Sequence, residues 1–358
     1  MRAGPSLAAL AGPVAVGVRV DVYHGGVCIA SDIPAWDVKV ESTLKRVVPS
    51  KLTMRVDPGM VPTAPGDTLN NYGQRLHVTA LVETGGETVR IPYGWFVLTD
   101  WEERAGGMEV TAMDLVQTIV DDQAVWPSSP PAGATLGSEV QRIITSSVAF
   151  GQTIPVVLEV PDRSISTSFQ WGVKKAENLQ ELCETYGLMY GVKPDGCLHV
   201  WALNYGGDPV EVYTGTDLLV GAVRAARERT PNRWIVQGSA QGDSSTKWTA
   251  IRENFTGIYA PERYGIVTER KEFNAATSAD AVEKAATSYM RKALAASGAR
   301  SVQIAADPRL EVGDLILVVI DHEDGTVERV RGRVQAMSIT LDDPGHVMRV
   351  DMMEESWI

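Results

Sequence analysis

The sequence predicts a mainly β protein that carries an α+β insertion, and three observations lead to that class. Apolar residues alternate strictly from Val14 to Val22, which is the period of a half-buried strand. Short apolar runs separated by glycine, proline and aspartate follow, as they do in antiparallel barrels and sandwiches. Between residues 136 and 203 the pattern changes to a helix-plus-hairpin unit, after which strand-like runs return.

Residues 1–130 form the first predicted domain, which is all β. After the opening strand, His24-Gly25-Gly26 supplies a turn and residues 27–29 begin the return strand of a hairpin. Further strands are predicted at 36–40, 51–56, 76–82 and 89–99. A proline-rich segment at 127–135 marks the end of the domain, either as a linker or as a crossing loop.

Residues 131–205 form a predicted α+β domain. Leu136, Val140 and Ile143 lie at helical spacing. A second helix is predicted at 176–186 because its apolar residues share one face, and Gly187 is well suited to end it. A hairpin follows at 188–192 and 197–203, around the turn Pro194-Asp195-Gly196.

Residues 206–358 form the third predicted domain, which is β with one helix. That helix is predicted at 279–297, where Asp280 and Glu283 resemble a capping box and Gly298 is placed to end it. Its apolar stripe consists of Val282, Ala286, Met290 and Leu294. The predicted strands are 232–238, 265–270, 301–304, 310–320, 327–337 and 347–352.

Charge and cysteine content exclude several classes of protein. The 358 residues include 33 Lys and Arg and 45 Asp and Glu, and the net charge of −12 disfavours a protein that wraps nucleic acid. Three cysteines without a CxxC pair argue for assembly in a reducing cytosol. No apolar run reaches the roughly 18 residues of a membrane span. Pro5 and Pro13 interrupt the N-terminal segment that imitates a signal peptide, so we expect no export.

The search for catalytic chemistry predicts no site. The motifs of zinc peptidases, serine hydrolases and nucleotide-binding loops are absent. Neighbouring carboxylates on a strand point to opposite faces, which defeats the geometry of a glycan hydrolase. The adjacent pairs are Glu102-Glu103, Asp121-Asp122, Asp342-Asp343 and Glu354-Glu355. Residues 238–243 and 321–324 read as exposed turns. We therefore predict no catalytic, cofactor-binding or metal-binding residues, and no cofactor.

Nine tryptophans keep a glycan-binding surface open as an alternative. Four of them lie within strand patterns and are predicted to belong to the core: Trp36, Trp95, Trp201 and Trp234. Four others are freer to lie in interfaces, which favour tryptophan: Trp101, Trp126, Trp248 and Trp357.

Seven segments occur in an order that resembles the hub proteins of phage tails. They are VKVESTLKRVVPSKLTMRVDP (38–58), LNNYGQRLHV (69–78), IPYGWFVLTDWE (91–102), MEVTAMDLVQTI (108–119), ENLQELCETYGLMYGVKPDGCLHVW (177–201), NRWIVQGS (232–239) and ADPRLEVGDLILV (306–318). The order is similar to that of baseplate hubs of contractile phages, tail-tip proteins of long-tailed phages and the hub portion of type VI spike proteins. It resembles in particular a minor tail protein family of actinobacterial phages.

This resemblance implies two tail-tube-like β-barrel domains joined by the α+β domain, with three copies of the chain closing a ring. The six barrels would match the sixfold tail tube and distal tail proteins above, and present threefold symmetry to spike, fibre or lysin proteins below. The chain would then be a non-enzymatic protein of the virion tail tip, assembled in the host cytoplasm. DNA would pass through its channel, where acidic side chains would repel the phosphates, and no stable membrane insertion is expected.

Other functions remain open from the sequence. A tail-tip cell-wall hydrolase would need carboxylates or a metal site that converge from distant segments. A glycan- or receptor-binding module would need exposed tryptophans. A distal tail ring protein would assemble as six copies where a hub assembles as three.

Overall fold

The computed structural model describes the chain except at residues 13, 45, 146–147, 150–151, 168, 204–206, 216–218, 225–228, 239–246, 274–275, 277, 298, 323, 344, 346 and 355–358. The predicted loop at 238–243, the helix end at Gly298 and the C-terminal Trp357 lie wholly or largely outside the described residues. Among the described residues, no helix combines the length and apolarity needed to cross a lipid bilayer.

The elements follow three stretches of the chain. The first stretch comprises α1 (Leu7–Leu10), β1 (Ala15–His24), β2 (Val27–Ala30), β3 (Ala35–Thr43), β4 (Ser50–Val56), a 3₁₀ turn (Pro58–Met60), β5 (Arg75–Thr84), β6 (Glu87–Arg104), β7 (Gly107–Asp114) and α2 (Gln117–Asp121). The second comprises α3 (Leu136–Ile143), β8 (Val148–Ala149), β9 (Gln152–Thr153), β10 (Val156–Leu158), α4 (Lys175–Thr185), β11 (Leu188–Val192) and β12 (Leu198–Ala202). The third comprises β13 (Glu211–Thr214), β14 (Leu219–Arg224), β15 (Arg233–Gly238), β16 (Thr249–Glu253), a 3₁₀ turn (Gly257–Tyr259), α5 (Pro261–Tyr264), β17 (Thr268–Phe273), α6 (Ala279–Ser297), β18 (Ala299–Ala305), β19 (Leu315–Asp321), β20 (Val327–Thr340) and β21 (Val347–Glu354).

Strands from the first and third stretches belong to one sheet. Its hydrogen-bonded order is β14-β18-β21-β20-β3-β4-β7-β6-β5-β1-β2, and β19 pairs with both β20 and β13. The two stretches meet where β20 pairs with β3, from Ala336 opposite Thr43 to Thr340 opposite Lys39. Backbone bonds at 2.9 Å from Leu44 N to Gln335 O and at 2.8 Å from Leu341 N to Val38 O extend this junction.

The predicted mainly β class is confirmed, but the described strands form no closed barrel. The path of the sheet ends at β2 on one side and at β14 on the other, and no pairing among the described residues joins these ends. The strands along this path pair in antiparallel fashion.

The hydrophobic cores follow this topology. One core is shared by the two halves of the large sheet, and it includes Leu52 and Met54 from the first stretch and Val302 and Val350 from the third. A second core lies under the helix-plus-hairpin unit, and Leu179 and Trp171 belong to it. Two smaller clusters lie between α6 and the separate sheet β16-β15-β17.

Both predicted long helices are confirmed. Helix α6 begins and ends at the predicted residues, and the side chain that caps its first turn is Ser278, whose Oγ accepts from Ala281 N at 3.2 Å. The predicted capping box at Asp280 is wrong, since that carboxylate pairs with Lys284. Helix α4 is followed by Gly187 at φ +67°, a left-handed conformation that favours glycine.

The proline-rich segment is a crossing loop and not a free linker. Bridges join Gln123 to Lys174, Ser128 to Trp171 and Thr135 to Ser164. The Arg142 guanidinium donates to Ser128 Oγ at 3.2 Å and to the buried Glu139 carboxylate. The segment is therefore built into the helix-plus-hairpin unit.

A buried ion cluster holds β13 against the turn that precedes β19. The Arg309 guanidinium donates to both carboxylate oxygens of Asp307, at 2.9 and 2.7 Å, and to Glu211 at 2.9 Å. The Tyr213 hydroxyl donates to Asp307 at 2.8 Å. Asp307 and Arg309 are 1% and 4% exposed, so these buried charges depend on the cluster for their compensation.

We expect Asp307→Ala to lower the free energy of unfolding by about 3–5 kcal/mol, because it removes the main partner of a buried guanidinium. The matched control is Lys284→Ala, which removes the exposed 2.6 Å pair with Asp280 and should cost no more than about 1 kcal/mol. Urea unfolding followed by tryptophan fluorescence measures both changes. Equal losses in the two variants would contradict the structural role of the Asp307 cluster.

Candidate functional site

The outward face of the large sheet carries a continuous row of polar side chains across the junction of its two halves. Directly opposed residues place Gln303 beside Arg349, Arg349 beside Ser338, Ser338 beside Glu41, and Glu41 beside Lys51. The row crosses β18, β21, β20, β3 and β4, and we call it the polar row. Its residues alternate with buried apolar neighbours, since successive residues on a strand face opposite sides of a sheet.

A parallel row lies two residues further along the same strands. Thr340 is opposite Lys39, which is opposite Thr53, and Thr53 is opposite Thr111 on β7. Thr111 is in turn opposite Asp100 on β6. Small hydroxyl side chains therefore separate the charged ones over much of this face.

Cations on this face lie beside carboxylates. Lys39 Nζ is 2.6 Å from Glu41 Oε1, and this bond is the main cause that lowers the pKa of Glu41. Arg349 Nε is 3.2 Å from Asp351 Oδ1, and the same oxygen accepts from Ser301 Oγ at 2.7 Å. The face thus presents paired charges of both signs, whereas the chain as a whole is acidic.

A groove of about 370 Å³ opens on this face where β3, β20 and β21 meet. Its lining includes Glu41, Thr43, Ser338, Arg349 and Asp351. The register at the junction brings these residues together, because Ser338 lies directly opposite Glu41 on one side and Arg349 on the other.

The adjacent carboxylates have structural partners. Asp342 accepts from Val38 N at 2.9 Å, Asp122 pairs with Lys175 Nζ at 2.5 Å, and Glu354 pairs with the buried Arg300 at 2.9 Å. Glu102 lies 2.8 Å from Arg104 at the exposed end of β6. Glu355 lies outside the described residues.

The acidic group at 321–324 forms a hairpin tip, as predicted for its described residues. Gly325 N donates to His322 O at 2.9 Å, and Asp324 Oδ1 accepts from Thr326 N at 2.9 Å. Within the described part of the chain, no group of three or more His, Cys, Asp or Glu is arranged to hold a metal ion.

The predicted core tryptophans divide into three kinds. Trp234 is fully buried against α6, as predicted. Trp95 and Trp201 are half-buried, and Trp95 packs edge-on to Tyr23 with ring centroids 4.9 Å apart. Trp36 is 37% exposed, so its core assignment is wrong. A bulge interrupts the pairing of β3 and β4 between Trp36 and Lys39, which takes Trp36 out of the inward alternation.

The tryptophans predicted to be freer include Trp126, the most exposed tryptophan among the described residues. Trp126 is 78% exposed and Trp248 is 42% exposed, whereas Trp101 is half-buried. Trp171, which the sequence left unassigned, is 2% exposed and donates to the buried Glu139 at 2.5 Å. Trp171 lies between α3 and α4, outside any strand or helix pattern, so the sequence alone did not distinguish it from a residue of an exposed loop.

One buried carboxyl has a strongly altered pKa. Asp114 ends β7, is 5% exposed and accepts from Val116 N at 2.7 Å. Burial raises the pKa of Asp114 to about 7, against the opposing effect of backbone hydrogen bonds from Val116 and Ser50. The Val116 amide fixes the passage from β7 into α2 and the Ser50 amide belongs to β4, so the group has a structural role.

Known proteins share the fold of this chain, although no family model and no curated protein matches its sequence. The tail protein from Neisseria meningitidis MC58 has a TM-score of 0.64 at 14% identity, over 96% of this chain and 98% of its own. The 43 kDa tail protein of prophage MuSo2 from Shewanella oneidensis has a TM-score of 0.59 at 15% identity, over 94% and 98%. A prophage tail protein from Listeria monocytogenes EGD-e has a TM-score of 0.56 at 11% identity, over 93% and 94%. The chain therefore has the fold of these tail proteins over nearly its whole length.

We expect Asp114 to make stability depend on pH. Its pKa of about 7 in the folded chain exceeds the ordinary value of 3.8, so the folded state holds the proton more tightly. The free energy of unfolding should therefore fall as pH rises from about 4 to about 7, by at most about 1.4 kcal/mol per pH unit. Asp114→Asn should flatten this slope in urea unfolding across that interval.

The matched control for this titration is Asp67→Asn. The backbone amides of Thr63 and Ala64 lower the pKa of Asp67, so its titration lies below about pH 4. The control should keep the slope of the unmodified chain between pH 4 and 7. An unchanged slope in Asp114→Asn would show that this carboxyl is not its source.

Proposed function

We propose that this chain is a structural hub protein of a phage tail tip. The observation that carries the proposal is its fold, which matches three tail proteins over 93–96% of the chain. In this proposal three copies form a ring that adapts the sixfold tail tube and distal tail proteins above to spike, fibre or lysin proteins below. The chain is not an enzyme, belongs to the virion tail tip and is assembled in the host cytoplasm.

The three predicted domains take distinct parts in this ring. Residues 1–130 and 206–358 supply two tube-like β modules, and residues 131–205 supply the helix-plus-hairpin unit between them. The continuous sheet supports this division, because each module contributes one half of an open arc joined at β3 and β20. Six such half-arcs, two from each copy, would line a closed tube. The segment order favours tails of the actinobacterial minor tail type.

The polar row is the part of this surface best suited to face the channel. DNA in transit must pass without binding, and a face on which lysine and arginine lie beside carboxylates attracts the phosphates less than an unpaired basic face would. Lys39 and Arg349 have carboxylates at 2.6 and 3.2 Å, and hydroxyl side chains lie between the charged pairs. DNA is thus a partner only in transit, and no stable membrane insertion is part of the proposal.

Cryo-electron microscopy of the intact parent particle tests the position and the copy number. Three copies that close the end of the tail tube are expected. Six copies would indicate a distal tail ring protein instead of a hub. Absence from the tail axis would favour a receptor-binding module, for which the exposed Trp126 is the best candidate, or a cell-wall hydrolase, which zymography on peptidoglycan would detect.

We expect Glu41→Gln to slow DNA release from the assembled particle, by about fivefold. The change removes the carboxylate at 2.6 Å from Lys39 and directly opposite Lys51, and one uncompensated surface charge is worth on the order of 1 kcal/mol. The readout is the rate of DNA release triggered on host envelope preparations, measured with a DNA-binding dye.

The matched control is Glu253→Gln on the edge strand β16. It removes the same kind of partner, at 2.7 Å from Arg233, in the separate sheet. Release from the control should equal release from the unmodified particle. Equal rates in both variants would place the polar row away from the channel.

A further inference from the structure

His199 lies on the side of the small sheet β10-β12-β11 that points away from the second core. Its neighbours Leu198 and Val200 on β12 belong to that core. Successive residues of a strand face opposite sides, so His199 points the other way, and it is nevertheless only 8% exposed. A ring so little exposed to water depends on the protein for the partners of its two nitrogens.

Both ring nitrogens of His199 contact carboxylates. Nδ1 is 2.6 Å from Glu159 Oε1, and Nε2 is 2.9 Å from Asp195 Oδ2. An ionised carboxylate can only accept a hydrogen bond, and a neutral imidazole carries a proton on just one of its nitrogens. Only the imidazolium, which has a proton on both nitrogens, can donate to both carboxylates. The geometry of the two contacts therefore requires the charged ring.

The two carboxylates are themselves ionised over a wide range of pH. Burial alone would raise the pKa of Glu159, but hydrogen bonds from Lys193 and His199 outweigh burial and lower that pKa. Burial is also outweighed at Asp195, whose pKa is lowered by hydrogen bonds from the Cys197 amide and from His199. Both groups are therefore charged above about pH 4, and neither can donate to an unprotonated ring nitrogen.

Two further titratable side chains lie beside these contacts. Lys193, which follows β11, pairs with the same Glu159 oxygen as His199. Cys197 lies two residues before His199, and burial together with the nearby Asp195 raises the pKa of its thiol. Lysine and cysteine ordinarily change charge only above about pH 8. Histidine is thus the side chain of this cluster that ordinarily changes charge between about pH 5 and 8.

The ring joins two segments that come from different parts of the small sheet. Glu159 directly follows β10, whereas Asp195 lies in the turn between β11 and β12. This turn lies against the first β module, since a Cβ atom at Gly196 would be 3.5 Å from Nε1 of Trp95 on β6. His199 on the central strand therefore connects the end of β10 to the turn that contacts the first module.

We propose that His199 is a pH-sensitive clamp, whose imidazolium holds the turn at 194–196 to the end of β10 and whose neutral form releases one of the two. When the ring loses a proton, a nitrogen lone pair faces a carboxylate oxygen at less than 3 Å, and that contact must open. The clamp is closed at mildly acidic pH and opens as the pH rises. It does not depend on the proposed ring, because all of its residues belong to the helix-plus-hairpin unit of one copy.

Hydrogen exchange of the full chain measures the opening at both ends of the clamp. Cys197 N donates to Asp195 Oδ1 at 2.9 Å, and Glu159 N donates to Val200 O at 2.9 Å. The protection factor of at least one of these two amides, corrected for the intrinsic exchange rate, should fall by about fivefold between about pH 5 and 8. Constant protection of both amides over this interval would overturn the clamp.

Asp195→Asn should reverse the protonation that the site requires. The new amide nitrogen can donate to Nε2, while the amide oxygen keeps the bond from Cys197 N, so a neutral ring protonated at Nδ1 satisfies both partners. We expect ¹⁵N NMR of labelled histidine to show two protonated ring nitrogens for His199 at about pH 6 in the unmodified chain, and one in Asp195→Asn. The fall in protection should also disappear. Unchanged protonation in this variant would overturn the clamp, because a ring that only fills space would not respond.

His199→Gln identifies the NMR signal among the five histidines and tests the source of the pH dependence. Glutamine carries no titrating proton, so the fall in protection should be absent in this variant. The other histidine near the turn is His77, which packs on Trp95 with ring centroids 4.3 Å apart and whose pKa is lowered by burial. A fall that persists in His199→Gln would overturn the clamp and indicate His77 as its source.

The matched control within the same chain is the hairpin tip at His322. That ring contacts a single carboxylate, Glu328 at 3.2 Å, and its side chain is 46% exposed, so water can serve the other nitrogen in either protonation state. Gly325 N, which donates to His322 O at 2.9 Å, should change its protection by less than about twofold over the same interval. A fall at Gly325 as large as that at the clamp would indicate general loosening of the chain and overturn the proposal.

Discussion

The pairing of β3 with β20 is the constraint on which the rest of the molecule depends. It joins strands that are about 300 residues apart and turns two sets of hairpins into one sheet. Its register is fixed at both ends by backbone bonds to Gln335 and Val38, and Asp342 caps the Val38 amide at 2.9 Å. A shift by one residue would move every side chain of β20 to the opposite face relative to β3. The shared core and the polar row would then both be lost.

Bulges lie close to this junction on both of the joined strands. In β3 the pairing with β4 shifts between Trp36 and Lys39, and Asp37 adopts φ +53°. In β20 the pairing with β21 shifts between Val334 and Ala336. A bulge leaves a residue unpaired and increases the local twist. Bulges on both joined strands let the sheet bend where the two halves meet, so that one core can lie under both.

Local pattern predicted most of the strands and helices but could not predict how they pair. The alternation of β1 and the stripe of α6 are set by nearby residues, and both elements lie where the sequence placed them. Strands β8, β9, β10, β13, β14 and β16 were missed, because each is only two to six residues long and so carries little alternation of its own. The polar row was hidden for a related reason. Ser338 and Glu41 are ordinary outward residues of separate strands until the β3–β20 register places them side by side.

In the proposed hub, two tasks that would conflict on a single surface fall to different parts of the chain. A face past which DNA must slide needs compensated charges and no large apolar group, whereas a subunit contact needs a buried apolar anchor. The sheet supplies the first on β18, β21, β20, β3 and β4, where apolar side chains point into the shared core. The helix-plus-hairpin unit has its own core, so it can present Trp126 outward without weakening the sheet. Because the two cores are separate, a change in the helix-plus-hairpin unit need not disturb the sheet and its polar row.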